Sequence, residues 1–259
     1  MANVFKVGRS YFGLSSDTKP TPDSDGELFY EVDTGRCFIR RAGVWRDSIE
    51  WLLRNAQIRH VGDASGWTNS TTGTGSNAVK PERLAISSGT TASSSGRLSS
   101  GTITCLSRGS AGIYVMNWAK RAVLQLAFCP VGATTNGQTA LQWGRSGDVN
   151  TDADLDAAGI GVRIDNLALK GLAHNGTSLT VVDLSTTLTL NQIYQMEIVS
   201  DGAGNVEWFL DGVSKGTSAL GPSALGSAAN TSFQGIARNQ ADAVNQAADF
   251  APPVLYVYQ

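Results

Sequence analysis

Residues Tyr194 to Gly212 read Y-Q-M-E-I-V-S-D-G-A-G-N-V-E-W-F-L-D-G. Tyr194, Met196 and Ile198 alternate with Gln195, Glu197 and Val199, and Val206, Trp208 and Leu210 alternate with Glu207 and Phe209. A period of two places one set of side chains on one face of a sheet, so the stretch predicts two adjacent strands, each with one face toward a core. Asp201 to Asn205 forms a glycine-rich turn between them. Asp211-Gly212 is a strong hairpin signal, because both central positions of that turn need positive φ.

Working outward, the chain from Ala78 onward repeats this pattern. Strands are expected at Arg83–Ile86, Leu98–Leu106, Gly112–Trp118, Arg121–Phe128 and Thr139–Trp143. More follow at Gly159–Ile164, Leu167–Ala173, Leu179–Leu184, Val213–Ser218, Ser232–Arg238 and Val254–Tyr258. Turn residues fill most of the gaps, such as Asn136-Gly137 and Asn175-Gly176. Short strands at roughly 8–12-residue spacing signal an antiparallel sandwich, and the lack of strand-helix alternation disfavours an α/β sheet. Asn239 to Phe250 reads as a helical turn or loop.

Before Ala78 the signals are more local. Residues 1–26 form an irregular apolar arm with Val4, Phe5, Tyr11, Phe12 and Leu14, broken by Gly8 and Gly13 and followed by a connector with Pro20 and Pro22. Glu27 to Trp45 is a small β-meander, with Leu28, Tyr30 and Val32 sharing a face. Asp47 to about Ala56 predicts one short helix, with Asp47 as N-cap, Glu50 at the capping-box position and Ile49, Leu52 and Leu53 on one side. Gly62 to Asn77 reads as a linker or exposed loop around Trp67. These features divide the chain into 1–66 and 67–259.

With 259 residues and 41% hydrophobic content, a sizeable core is affordable. Charged residues make up only 16%, against about a quarter usually, so Ser, Thr, Asn, Gln and Gly must build much of the surface. A net charge of -2 argues against nucleic acid as partner. No apolar run is long enough for a membrane helix, and residues 1–7 lack the apolar core of a signal peptide, so synthesis in a host cytoplasm is expected. The three cysteines, Cys37, Cys105 and Cys129, are widely spaced and read as reduced thiols.

Two resemblances are carried by these residues. Tyr194–Gly202 with Val206–Gly212, preceded by Leu84–Gly96, resembles the concanavalin A-like lectin/glucanase (laminin G-like) sandwich over about residues 78–259. Leu14-Ser15-Ser16-Asp17-Thr18-Lys19-Pro20-Thr21, then Gly26–Gly35 (G-E-L-F-Y-E-V-D-T-G) and Gly43-Val44-Trp45, is similar to a module of tailed-bacteriophage structural proteins. Together they imply an all-β virion component, an antiparallel jelly-roll sandwich behind an arm, a meander and a short helix. The first expectation is a homotrimeric capsid decoration (cement) protein contacting the major capsid protein or other virion proteins. Tyr11, Phe12, Phe29, Tyr30 and Trp45 are its expected contact residues. The alternative is a lectin-like tail or fibre protein that binds a receptor.

The search for chemistry supports a non-enzymatic role with no cofactor and no metal. Glucanases on this sandwich need paired carboxylates flanking one bond, and Glu27, Glu31, Glu50, Glu82, Glu197 and Glu207 do not take that spacing. Glu197 and Glu207 lie on neighbouring strands and read as solvent-face charges. His60 and His174 lack the company of a triad, and His174 reads as an exposed hairpin-tip residue. Asp148, Asp152, Asp154 and Asp156 form an acidic loop, read as solvated, with Ca²⁺ as the alternative. Trp118, Trp143 and Trp208 read as core anchors, which leaves Trp67 as the one candidate for stacking on a glycan.

Overall fold

The computed structural model describes residues 4–7, 10–21, 24, 26–33, 37–41, 44–47, 56–61, 67–80, 83–100, 104–107, 110–113, 117–144, 154–224, 232–240, 242 and 244–258. They contain 23 strands and no helix. The helix expected at 47–56 lies mostly outside the described residues, and its two ends, Asp47 and Ala56, belong to strands. Two compact units result, Met1–Ala56 and Gln57–Gln259. The division falls before residue 66 because the strand Ala56–Val61 pairs with the C-terminal strand of the second unit.

The first unit is a five-stranded sheet in sequential order: β1 (Phe5–Val7), β2 (Ser10–Gly13), β3 (Leu28–Glu31), β4 (Cys37–Arg41) and β5 (Val44–Asp47). β2 and β3 are parallel, which requires a long crossover, and the proline-containing connector supplies it. The other pairs are antiparallel. The expected irregular arm is thus partly strand, ordered within its own sheet. The face shared by Leu28 and Tyr30 is the less buried face of β3. Phe29 and Glu31 point inward, whereas Tyr30 is half-buried and Val32 is exposed. Phe29, Tyr11 and Phe38 form the core with Val4 and Trp45 against them. Glu31 is buried because Lys19 Nζ lies 2.9 Å from its carboxylate while covering the Phe38 ring at 4.2 Å.

The second unit contains β6 (Ala56–Val61), β7 (Trp67–Thr72), β8 (Ser76–Lys80), β9 (Arg83–Ser87), β10 (Ser95–Ser100), β11 (Thr104–Ser107) and β12 (Ser110–Ile113). It continues with β13 (Ala122–Gly132), β14 (Gly137–Trp143), β15 (Gly159–Asp165), β16 (Ala168–His174), β17 (Leu179–Thr187), β18 (Tyr194–Ser200) and β19 (Val206–Leu210). The last are β20 (Val213–Ser218), β21 (Phe233–Asn239), β22 (Ala247–Phe250) and β23 (Val254–Tyr258). One sheet runs β17-β16-β15-β14-β21-β10-β7. The other runs β20-β19-β18-β13-β22-β9-β8, with β23 beside β13 and β6 beside β23, and β11 and β12 form a separate hairpin. This is an antiparallel β-sandwich of the jelly-roll type, as the sequence pattern predicts. Two segments expected as loops are strands: β7 with β8 in 62–77, and β22 in 239–250.

The opening stretch behaves as its alternation requires. Tyr194, Met196, Ile198, Val206, Trp208 and Leu210 are all buried in one core cluster. Asp211 and Gly212 take φ of 47° and 87°, the left-handed pair that the tight hairpin needs. Leu141, Trp143, Ile160, Val162 and Phe233 from the seven-stranded sheet complete that core. Fully burying a side chain of this size contributes roughly 1.5–3 kcal/mol, so packing between sheets, more than strand propensity, holds the unit together. Trp67 is not a loop residue. Its ring centroid lies 6.2 Å from Phe233 and 6.1 Å from Phe250, inside the sandwich edge.

Candidate functional site

In the seven-stranded sheet, residues that do not face the core share its outer face. Strand register sets them in three rows across the strands. One row runs Lys170, Arg163, Ala140, Ile236, Arg97, Ser70. Beside it runs Leu172, Gly161, Gln142, Gln234, Ser99, Thr68, and on the other side Ala168, Asp165, Gln138, Arg238, Ser95, Thr72. Four cations and three carboxamides therefore stand on one face of a chain whose net charge is -2. Carboxylates answer these cations: β17 sets Asp183 opposite Lys170 at 2.9 Å, and Asp165 stands in the third row beside Arg163.

The segment just before β15 lies on this face. Leu155 packs with Ala140, Leu172 and Ile236, a small second core on the outer side of the sheet. Asp154 places both carboxylate oxygens 2.6 Å from Arg163 Nη1. Asp165 adds contacts of 2.9 Å to Nη2 and 2.7 Å to Nε. Burial works against the Arg163 charge, but these two carboxylates outweigh it and raise its pKa. Burial lowers the Arg97 pKa, with Asp156 partly opposing it. Arg97 also donates from Nε to Ser99 Oγ at 3.1 Å.

The carboxamides are the unusual members. Gln142 is 0% exposed, and neither its amide nitrogen nor its amide oxygen has a hydrogen-bond partner; Gln138 Oε1 is in the same position. A buried polar atom without a partner costs about 1–3 kcal/mol, an investment that cores avoid and binding sites use.

His174 ends β16 on the same face. It is buried rather than exposed at a hairpin tip, and its Nδ1 accepts the Gly176 backbone N–H at 3.0 Å. Of the acidic loop, Asp148 and Asp152 lie outside the described residues. Asp154 is ion-paired with Arg163 rather than solvated, and no cluster of metal-ligating side chains occurs among the described residues. Glu197 and Glu207 are on the other sheet, where Glu197 accepts from Gln125 Nε2 at 3.1 Å and Glu207 from Ser214 Oγ at 2.6 Å. His60 lies in β6. Cys37 and Cys129 are free thiols.

The five expected contact residues all lie in the first unit but do not form one surface. Tyr11 and Phe29 are buried, and Trp45 packs on them at ring distances of 5.9 Å while donating its indole N–H to Pro20 O at 2.9 Å. Phe12 and Tyr30, stacked at 5.2 Å, remain half-exposed. Sequence reasoning missed Arg97, Arg163, Arg238, Gln138, Gln142 and Gln234. Their signal was the polar half of each alternating strand, as in Phe233-Gln234-Gly235-Ile236-Ala237-Arg238, which shows its meaning only when strands are placed side by side.

No protein-family model and no curated protein matches this chain. Among solved structures, the chain is similar to the endo-β-1,4-glucuronan lyase of the fungus Trichoderma reesei, with 10% identity, 78% of this chain and 95% of that chain covered, and a TM-score of 0.53. The binding domain of botulinum neurotoxin serotype G gives 10% identity, 79% and 48% coverage and a TM-score of 0.46. The receptor-binding domain of botulinum neurotoxin D gives 9%, 85% and 48%, with a TM-score of 0.44. The chain spans about half the length of those neurotoxin chains. At 10% identity the likeness to the glucuronan lyase is one of fold: an all-β sandwich.

Proposed function

We propose that this chain is a structural component of a tailed-phage virion whose sandwich is a saccharide-binding module. The observation that carries the binding role is the outer face of the seven-stranded sheet. There guanidinium groups alternate with carboxamides, including the fully buried and unpartnered Gln142. Carboxamides and guanidiniums donate in fixed planar geometry, and hydroxyl-rich ligands satisfy such groups. The likeness to the glucuronan lyase supports the sandwich fold alone. The virion assignment rests on the Leu14–Thr21 and Gly26–Trp45 motifs.

Within the virion, a lectin-like tail or fibre protein makes direct use of this face. A homotrimeric capsid decoration protein, contacting the major capsid protein, is the second reading. The half-buried Phe12–Tyr30 stack in the first unit favours it, as an apolar contact for a neighbouring subunit.

Two experiments test the proposal. The full chain is applied to a glycan array, and any bound glycan is incubated with it and examined for cleaved products. Binding without cleavage supports the module; turnover makes the chain an enzyme; an array without signal removes the saccharide reading. Immunogold labelling of virions assigns head or tail, and unlabelled virions overturn the structural role.

A further inference from the structure

We propose that Asn175 is a site of self-modification: the β16–β17 turn converts its carboxamide to a carboxylate, with His174 as the base. The chain contains two Asn-Gly pairs, Asn136-Gly137 and Asn175-Gly176. In such a pair the backbone nitrogen of the glycine can attack the asparagine carboxamide, because no Cβ screens the approach. The fold treats the two pairs oppositely.

At the β16–β17 turn the Gly176 N–H donates to His174 Nδ1 at 3.0 Å, so a base already holds the proton that the attack must release. Burial keeps the His174 pKa below the ordinary 6.5, although Asp156 acts the other way, so at neutral pH the ring is neutral with a lone pair on Nδ1. Asn175 Oδ1 accepts two backbone N–H groups, from Thr177 at 2.8 Å and Ser178 at 2.9 Å. Fixed donors of this kind stabilise negative charge as it develops on the oxygen. Gly176 is exposed, and beyond its chain neighbours the nearest atom to a Cβ placed there is Ala158 Cβ at 4.0 Å, which leaves room for a ring to close.

At the other pair these features are missing or reversed. The Gly137 N–H donates to the Thr134 carbonyl at 3.0 Å, an acceptor too weakly basic to take the proton. Asn136 Nδ2 donates to Asp242 Oδ1 at 3.1 Å, and its backbone N–H to Asp242 Oδ2 at 3.0 Å, so a carboxylate opposes charge building up on the carboxamide. Gly137 is buried at the start of β14, and a Cβ there would lie 2.3 Å from Thr134 Cγ2 and 2.5 Å from Gln246 Oε1. Exposure alone ranks the pairs the other way, since Asn136 is exposed and Asn175 half-buried.

In the reaction, Gly176 N bonds to Asn175 Cγ while its proton passes to His174 Nδ1. The tetrahedral carbon then expels Nδ2, which takes that proton and leaves as ammonia, and a cyclic imide remains. Water opens the imide at either carbonyl, giving aspartate or isoaspartate. Either product adds a negative charge next to His174, and isoaspartate lengthens the backbone of a turn in which Asn175 N–H reaches Ser178 O at 3.2 Å.

The test is peptide mapping by mass spectrometry after timed incubation of the full chain at neutral pH, native and unfolded in guanidinium chloride. In the unfolded chain Asn136 and Asn175 should react at similar rates, since both precede glycine. In the native chain Asn175 should react about tenfold faster than in the unfolded one, less than the usual gain from a positioned base because an amide is a far weaker acid than imidazolium. Asn136 should react more slowly native than unfolded. His174→Gln, which can still accept the Gly176 N–H but is a much weaker base, should slow Asn175 about tenfold and leave Asn136 unchanged. Near-UV circular dichroism checks that the variant is folded, and the comparison of native with unfolded wild type stands without it. A native Asn175 that reacts no faster than in the unfolded chain, or no faster than native Asn136, overturns the site. A folded His174→Gln variant with an unchanged Asn175 rate overturns His174 as the base.

Discussion

Trp208 donates its indole N–H to the carbonyl oxygen of Gly161 at 2.8 Å, a buried hydrogen bond from β19 in one sheet to β15 in the other. The indole reaches that carbonyl because Gly171, on β16, has no side chain. A Cβ placed there would lie 2.6 Å from Trp208 Cε2. Gly171→Ala should therefore destabilise the sandwich by about 1–3 kcal/mol through overpacking. Trp208→Phe should cost a similar amount, about 1–3 kcal/mol, by stranding a buried acceptor. Urea unfolding of the full chain measures both, and an unchanged midpoint for Gly171→Ala would contradict the inter-sheet contact.

His174 makes stability pH-dependent on the acid side. Burial lowers its pKa below the ordinary 6.5, with Asp156 acting the other way. Its Nδ1 accepts from Gly176, so the neutral ring carries its proton on Nε2, and protonating Nδ1 would break that bond. A base whose folded pKa is depressed favours folding in its neutral form. Its contribution is complete above the unfolded value and is lost as pH falls below about 6.5 toward the folded pKa. His174→Gln should flatten this loss when unfolding is followed from pH 7.5 to 5. An unchanged slope in the variant would place the dependence elsewhere.

Asp201 acts in the opposite pH range. Burial works against its charge, but hydrogen bonds from Asn205 Nδ2 at 2.6 Å, Ala203 N at 2.7 Å and Asn205 N at 3.0 Å outweigh it and hold the carboxyl below the ordinary 3.8. A depressed carboxyl stabilises the fold above its unfolded pKa, and that stabilisation disappears as pH falls through the folded value. Asp201→Asn should be less stable than the wild type at pH 7, with the gap closing below about pH 3.8. A gap independent of pH would mean that turn geometry, not charge, is responsible.

In the first unit, Lys19 answers a buried carboxylate. Glu31 is 2% exposed, with Lys19 Nζ 2.9 Å away and the rings of Phe29 and Phe38 beneath the ammonium. Lys19→Met keeps most of the packing but removes the charge, and should cost on the order of 3 kcal/mol. The double variant Lys19→Met with Glu31→Gln should recover part of it. Hydrogen exchange of β2 and β3 amides reads the loss locally, and full protection in the single variant would show that the ion pair contributes nothing there.

Much of this molecule was legible before any tertiary structure. Alternation at 194–212, the Asp211-Gly212 turn and the apolar tryptophans 118, 143 and 208 depend on neighbours two to five residues apart, and local chemistry is enough to read them. Where the reading failed, a distant partner decided. Alternation set Leu28 and Tyr30 on one face but left open which face is buried; Phe29 and Glu31 take the buried side, with Lys19, twelve residues upstream of Glu31, neutralising the carboxylate. Residues 62–77 and 239–250 looked like loops because Gly, Ser, Asn and Ala carry weak strand signals. β7 and β22 gain their order from pairing with β10, β13 and β9.

The sequence by itself determined an all-β sandwich, since that rests on short-range patterns. Only the tertiary structure decided where function would be sought. Arg97, Arg163 and Arg238 are separated by 66 and 75 residues in the chain, and nothing in their local context marks them as a group. Antiparallel register brings their strands into one sheet and turns every second side chain to the same face. That long-range arrangement, and not any motif, sets these arginines and the carboxamides of Gln138, Gln142 and Gln234 on one face of the sheet.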